Sequence, residues 1–428
     1  MRRDAYLCNY LIVNLKQKFS NTKSKKMRNF FYLMIIFVLF QSCFMSKTVR
    51  LAKKGSVAPK SFSKELHFDT YHDLIIVDVV IDGQTFHLIY DTGAFMTVFD
   101  TQMASQLQVK AVSNKKARSS SGKAKKQQII EVPEIEIGGI KFKDINAFVV
   151  DLSKIQKVFG CVQVDGIIGN NLMRKANWQI DYQKKTLKLT DDMNNLKVSD
   201  KVISYHLGKR KWGNSAFPIE INGVTKYFTF DTGYSGFLQS NLSFYNKIRK
   251  KDSTFQKASI GTDLGFDLYG DYTTKGTYYG YFPNLTVGDM TMKDQIVVFK
   301  DQASTLIGEE FFQNFVLTID WDNHRALLDP VKEILPDSLD DFQLSIYPDY
   351  SDLMLKVSGS WKEHSVVPSI PNGTQILKVN EFDVSHLKKE ELCHFWDVTW
   401  KDMKKSSSLL IQTEFGPTTL TKKRLLGH

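Results

Sequence analysis

The chain has 428 residues, of which 42% are hydrophobic, 12% aromatic and 24% charged, with a formal net charge of +11. Chains of this kind bury cores in two or three domains, which excludes disorder throughout, a collagen-like fibre and a disulfide miniprotein. Much of the excess charge lies in residues 1–42, where Arg2, Arg3, Lys16, Lys18, Lys23, Lys25, Lys26 and Arg28 face only Asp4, so the basic balance marks a tail and not a nucleic-acid footprint.

In that tail, Met27-Arg28-Asn29 leads into eleven apolar residues, Phe30 to Phe40, followed by Gln41-Ser42-Cys43. A spanning helix needs about 20 apolar residues, so the run reads as a signal peptide over 1–42, to be removed or replaced by a lipid anchor, and not as a transmembrane segment. The bland alternative is an ordinary buried apolar segment. The arrangement resembles a bacterial lipoprotein signal, which implies lipidation at Cys43, export to the cell envelope and anchorage to a membrane. Phe40 departs from the Leu usual three residues before the cysteine, and residues 1–26 are excess length, which suggests translation from Met27. Cys8, Cys161 and Cys393 remain, with no CxxC or Cys/His spacing, and no disulfide framework is expected.

An internal repeat organises the rest. Leu74 to Asp100 finds an echo in Phe217 to Gln239: a β-patterned run, a turn (Asp82-Gly83 and Asn222-Gly223), a second apolar run, then Asp-Thr-Gly. Asp91 and Asp231 lie 140 positions apart, as do Gly83 and Gly223. Val132 to Gly138 matches Phe282 to Gly288, and Gly166-Ile167-Ile168-Gly169 with Ile180-Asp181 matches Thr305-Leu306-Ile307-Gly308 with Ile319-Asp320. Two homologous all-β lobes are therefore expected at 65–192 and 203–330, joined by the polar stretch Asp191 to Lys201. Residues 331–428 stand outside the repeat, and a third, smaller domain is expected at 340–428. There, Ser369 to Asn380 with Asp383-Val384 resembles the part of PDZ domains in which a Gly-containing turn precedes an Ile-Leu-x-Val-Asn strand. An unrelated α+β module with an ordinary turn and strand is the alternative.

Two Asp-Thr-Gly turns, each closing an apolar strand and each followed by an apolar-apolar-Gly strand, resemble the aspartic peptidases of the retropepsin and pepsin clan over roughly residues 70–330. The resemblance implies an all-β, two-lobed, duplicated β-barrel fold and a metal-free, cofactor-free endopeptidase acting on a peptide or protein. Hydrolysis without a metal or nucleophile calls for two carboxylates sharing one proton: one takes a proton from water, the other donates to the carbonyl oxygen under attack. Asp91 and Asp231 are that pair. Gly93 and Gly233 let the backbone approach the partner carboxylate, and the resemblance gives Thr92 and Thr232 hydroxyl-to-backbone bonds across the pseudo-twofold axis. Ala94 and Tyr234 stand where pepsin-type enzymes usually carry Ser or Thr, and losing that hydrogen bond to the ionised form should raise the carboxylate pKa and move the optimum toward weak acid.

Substrate-covering flaps are expected in Lys115 to Gln128, centred on Ser121 and Gly122, and in Ile260 to Tyr281, carrying Tyr269 and Tyr272. Their bland readings are a disordered basic loop and a plain hairpin. Gly233-Tyr234-Ser235-Gly236-Phe237 lacks the final Gly of a nucleophile elbow, there is no HExxH, P-loop or GxGxxG, and the nine His residues show no ligand spacing. Two function classes stand: an active endopeptidase, its lobes paired within one chain as a monomer, and an inactive peptide-binding or scaffold lipoprotein of the same fold. Lobe pairing between chains is a structural variant of the first.

Overall fold

In both copies of the repeat, the turn after the first strand is of type I′, the two-residue connection whose twist matches its flanking strands. Asp82 and Gly83 have φ of 50° and 76°, and Asn222 and Gly223 have φ of 48° and 70°. The computed structural model describes residues 48–427 except 158, 208–214, 262, 275, 302, 343 and 363–369. The expected signal segment, Met27, Cys8, Cys43 and Ser369 lie outside the described residues. Residues 48–53 are helical, and residues 54–428 form a unit of their own.

Strand accounts for 52% of the described residues and helix for 14%, which makes the fold mostly β. In the first lobe, strands Ile140–Val150, Thr97–Asp100, Gly166–Ile168, Gln84–Tyr90, Leu74–Ile81 and Ala124–Ile137 follow one another, and the last pairs back with the first to close a six-stranded barrel. Strand Ser56–Ala58 adds to its edge, so the lobe reaches further toward the N-terminus than residue 65. The second lobe closes the same way through Ala216–Ile221, Val224–Phe230, Leu306–Ile307, Leu238–Asn241, Met290–Lys300 and Thr277–Val287. Closure removes the unpaired strand edges that would invite aggregation.

The two barrels are filled differently. The first is largely aliphatic, with Ile75, Val77, Val79, Leu88, Ile135 and Ile145 at or below 5% exposure, whereas the second packs Phe217, Phe228, Phe230, Phe282, Phe299 and Phe312, all fully buried. Each such side chain contributes about 1.5–3 kcal/mol on burial. Trp178, fully buried, stacks on Phe142 at 6.1 Å and satisfies its indole N–H on the Met173 carbonyl at 2.6 Å.

A six-stranded sheet joins the lobes, in the order Ile203–His206, Arg325–Pro330, Phe315–Asp320, Asn177–Asp181, Thr186–Thr190, Ser63–His67. Its central pairing crosses from one lobe to the other, with Trp178 opposite Ile319 and Ile180 opposite Leu317.

The C-terminal residues form a separate α+β module around their own core. Its main sheet runs Leu344–Asp349, Met354–Ser360, Gln375–Val379, Ser408–Thr413, Gly416–Thr421, and the helix Lys389–His394 sets Leu392 into the core with Leu355, Val357, Ile376, Val379 and Ile411. One expectation fails here: Cys161 of the first lobe and Cys393 of this module form a disulfide, their Cα atoms 5.6 Å apart and 232 positions apart in sequence. Short-range cysteine spacing carries no sign of such a long-range bond. The module also meets the second lobe, where the Ile260–Trp361 bridge, the Gly261 amide on the Ser360 carbonyl at 3.4 Å and the Tyr279 and Trp361 rings 4.9 Å apart form the junction.

Candidate active site

The site is assembled where the barrels face each other. In each lobe the apolar-apolar-Gly strand is threaded between the strand that enters Asp-Thr-Gly and the strand that leaves it. Ile167 pairs in parallel with Ile89 and antiparallel with Val98, while Ile307 pairs with Phe230 and Leu238. Each threaded strand then receives the aspartate's amide: Asp91 N–H donates to the Ile168 carbonyl at 3.1 Å, and Asp231 N–H to the Ile307 carbonyl at 3.0 Å. The loops are therefore fixed from behind before any side chain is considered.

Thr92 and Thr232 lock the loops to each other. The Thr92 amide donates to the Thr232 hydroxyl at 3.1 Å and the Thr232 amide to the Thr92 hydroxyl at 3.0 Å. Each hydroxyl passes its own proton across the interface, Thr92 to the Phe230 carbonyl at 3.0 Å and Thr232 to the Tyr90 carbonyl at 2.7 Å. Both threonines are at most 1% exposed, so the four bonds lie in a dry environment.

The lock brings the carboxyl groups together, and the glycines make the approach possible. A Cβ at Gly93 would lie 2.4 Å from Asp231 Cγ, and one at Gly233 would lie 2.4 Å from Asp91 Cγ, so any larger residue collides with the partner carboxylate. The two carboxyl groups are near enough to interact as a hydrogen-bonding pair. Asp91 also accepts from the Ala94 amide at 2.9 Å, and Asp231 from the Gly233 amide at 3.0 Å. Both remain partly open toward the cleft.

Burial raises the pKa of both carboxyls. For Asp91 the rise is opposed by the hydrogen bond with Asp231 and by the Ala94 and Gly93 amides. Asp231 is pushed well above the ordinary carboxylate range, first by burial and then by the neighbouring Asp91 charge. The pair holds one proton and titrates as a unit, with Asp91, better supplied with N–H donors, favoured as the ionised member. At the Ala94 position a main-chain amide supplies a hydrogen bond where no hydroxyl exists. Tyr234 fills the corresponding place in the second lobe, its ring packed against Gly236 and Gly308.

The expected flap residues are brought together too. Strands Lys110–Arg118 and Ala124–Ile137 form one hairpin, its tip closed by the Ser119 amide on the Lys123 carbonyl at 2.8 Å, and Asp263–Asp267 with Gly270–Thr274 form the other. The first segment is thus an ordered hairpin and not a loop. The two hairpins touch at their tips: Ser121 N–H donates to Asp267 Oδ2 at 3.3 Å and Tyr269 OH donates to the Ala117 carbonyl at 2.8 Å, while Ser304, in the loop before Leu306–Ile307, donates its OH to the Ser120 carbonyl at 2.9 Å. Lys125 Nζ lies 4.8 Å from the Tyr269 ring and Lys123 Nζ 5.7 Å from the Tyr272 ring, the range of cation–π attraction. Gly122, with φ of 87°, shapes the first tip, and Lys154 of the first lobe packs against Gly270 at the second.

Two further features of the site leave little trace in the sequence. One is the neighbourhood of the second hairpin, where Asp263–Asp267 runs beside Met354–Ser360 of the C-terminal module. The other is Glu309, directly after Leu306-Ile307-Gly308 and fully buried. A charged residue opening a helix next to an apolar strand was the available signal. Among the described residues no group of three or more His, Cys, Asp or Glu is placed to hold a metal ion.

Residues 77–172 match the family model for aspartyl proteases. This stretch, running from strand Leu74–Ile81 into the short helix after Gly169, is an aspartyl protease-like domain. No curated protein matches the chain.

Proposed function

We propose that the protein is an aspartic endopeptidase whose single active site is shared by the two lobes of one chain. The observation that carries this reading is the juxtaposition of Asp91 and Asp231 where the lobes meet, each carboxyl set against the other loop's glycine and the two loops locked by reciprocal threonine bonds. A water between the carboxyls gives a proton to ionised Asp91 as its oxygen bonds to the peptide carbonyl carbon. Protonated Asp231 donates to the carbonyl oxygen, and collapse of the tetrahedral species transfers a proton to the departing amine. Positioned acid and base groups of this kind contribute about 10²–10⁴-fold in rate.

The long-range disulfide supports exposure to an oxidising compartment. That agrees with export and lipidation at Cys43, with anchorage at the bacterial cell envelope. In this reading the C-terminal module is a PDZ-like domain that positions an extended peptide near the second hairpin, and the protein acts as a monomer on peptide or protein substrates. The test is calorimetric binding of a peptide that carries a secondary alcohol in place of the scissile amide, a mimic of the tetrahedral species. Tight binding by the parent and its loss in Asp91→Asn and in Asp231→Asn is the expected result, and equal binding by all three would reject the shared site.

A further inference from the structure

A third carboxyl lies in the lobe interface and has no part in the mechanism above. Glu309 is 0% exposed, and its carboxyl oxygens and the hydroxyls of Tyr90 and Tyr182 find no well-aligned hydrogen-bond partner among the described residues, the Tyr182 hydroxyl being the one group near enough to interact with the carboxyl as a hydrogen-bonding neighbour. The groups that act on it electrostatically are Tyr182, Tyr90, Asp231, Asp91 and Asp73, none of them a cation. Asp320, equally buried, shows the contrasting solution: burial pushes it up, but Arg325 donates to it at 2.6 and 3.1 Å, Asn323 adds further bonds, and it is held below the ordinary range. Glu309 has nothing equivalent, and burial raises its pKa well above the ordinary value.

The repeat supplies an independent indication. Asn170 occupies the matching place in the first lobe: each residue opens a short helix directly after the glycine, with Asn170 N–H on the Ala94 carbonyl at 2.9 Å and Glu309 N–H on the Tyr234 carbonyl at 2.8 Å. The Asn170 side-chain amide donates to the Thr92 carbonyl at 2.6 Å and so braces its Asp-Thr-Gly loop. A carboxylate has no proton to donate, whereas a carboxylic acid has one.

We propose that Glu309 is a positioning residue: a neutral carboxylic acid set between the lobes, whose ionisation draws water into the interface and loosens the alignment of Asp91 with Asp231. As pH rises, the Glu309 O–H breaks, its proton passes to solvent, and the charge left behind has to be hydrated. The effect on catalysis rests on the peptidase reading, and the effect on stability does not. The folded-state pKa lies above that of the unfolded chain, so the stability tied to this group is complete below about pH 4 and is lost as pH rises toward the folded value.

The experiment compares the parent with Glu309→Gln, which keeps the shape and cannot ionise, by thermal unfolding and by pH–rate profiles from about pH 4 to about pH 9. The melting temperature of Glu309→Gln should exceed that of the parent by a margin that widens with pH, and its alkaline limb of kcat/KM should move upward by about one pH unit or more. A margin independent of pH, or a widening margin with an unmoved alkaline limb, would overturn the proposal. If Glu309→Gln does not fold, Glu309→Met provides the uncharged variant, with the same widening margin expected. A parent that cleaves nothing while the margin widens would reject the peptidase reading and leave the neutral acid standing.

Discussion

Thr92 and Thr232, on different lobes, each give an amide proton to the other's hydroxyl, at 3.1 and 3.0 Å. This reciprocity makes the two half-sites one object, because neither loop completes its hydrogen bonding without the other. Replacing either threonine by alanine strands a buried amide and frees a carbonyl, both on the opposite lobe. Thr92→Ala and Thr232→Ala should each cost about 2–4 kcal/mol of stability and lower kcat more than KM rises, whereas the serine variants should stay near the parent. Urea titration with steady-state kinetics checks this. Equal behaviour of the alanine and serine variants would show that the lock is dispensable.

The raised pKa of Asp231 has a stability consequence with a definite sign. A group whose folded pKa exceeds its unfolded value contributes stability in full below about pH 4, and that contribution is lost as pH rises through the folded value. Asp231→Asn should therefore melt higher than the parent at about pH 7, the gap closing below about pH 4. Activity should peak in weak acid, above about pH 4, and a peak below about pH 3 would contradict the raised pair. Scanning calorimetry and a pH–rate profile read both.

Tyr269 ties the two hairpins together through its hydroxyl on the Ala117 carbonyl, 152 positions away in sequence. Tyr269→Phe removes that one bond and keeps the ring beneath Lys125. The lid should open more readily, raising KM about three- to tenfold with a smaller change in kcat, from the loss of one hydrogen bond of about 1 kcal/mol. Unchanged KM would mean that tip contact plays no part in substrate retention.

The Cys161–Cys393 bond ties the C-terminal module to the first lobe, while the Ile260–Trp361 bridge ties it to the second. Cutting the tether by Cys393→Ser should lower stability by about 2–4 kcal/mol and speed amide exchange in residues 350–361. Amide exchange followed by mass spectrometry measures the second effect. Protection that is unchanged would show that the module is held by its noncovalent contacts alone.

Much of this architecture is legible in the sequence, because a duplication repeats its signals: two I′ turns, two Asp-Thr-Gly loops and two apolar-apolar-Gly strands set the barrels' shared topology. The apposition of Asp91 and Asp231 follows from the same symmetry. What stayed illegible depends on contacts that break the symmetry. The tip-to-tip meeting of Ser121 with Asp267 depends on hairpin lengths and curvature, which periodicity does not encode. The Cys161–Cys393 bond joins segments that no local spacing rule connects, although the two cysteines left once residues 1–43 are set aside were a hint. Glu309 differs from its repeat mate Asn170 by chemistry alone, and its significance depends on burial that only the assembled lobes create.

Asp91 and Asp231 should act as one hydrolytic centre, and a single experiment tests this. The purified protein, Asp91→Asn and Asp231→Asn would be incubated with a diverse peptide mixture from about pH 3 to about pH 8, and the products read by mass spectrometry. Cleavage by the parent, reduced about a thousandfold or more in each single variant, is the predicted result. Cleavage that survives either substitution, or a folded parent that cuts nothing across the range, would contradict it.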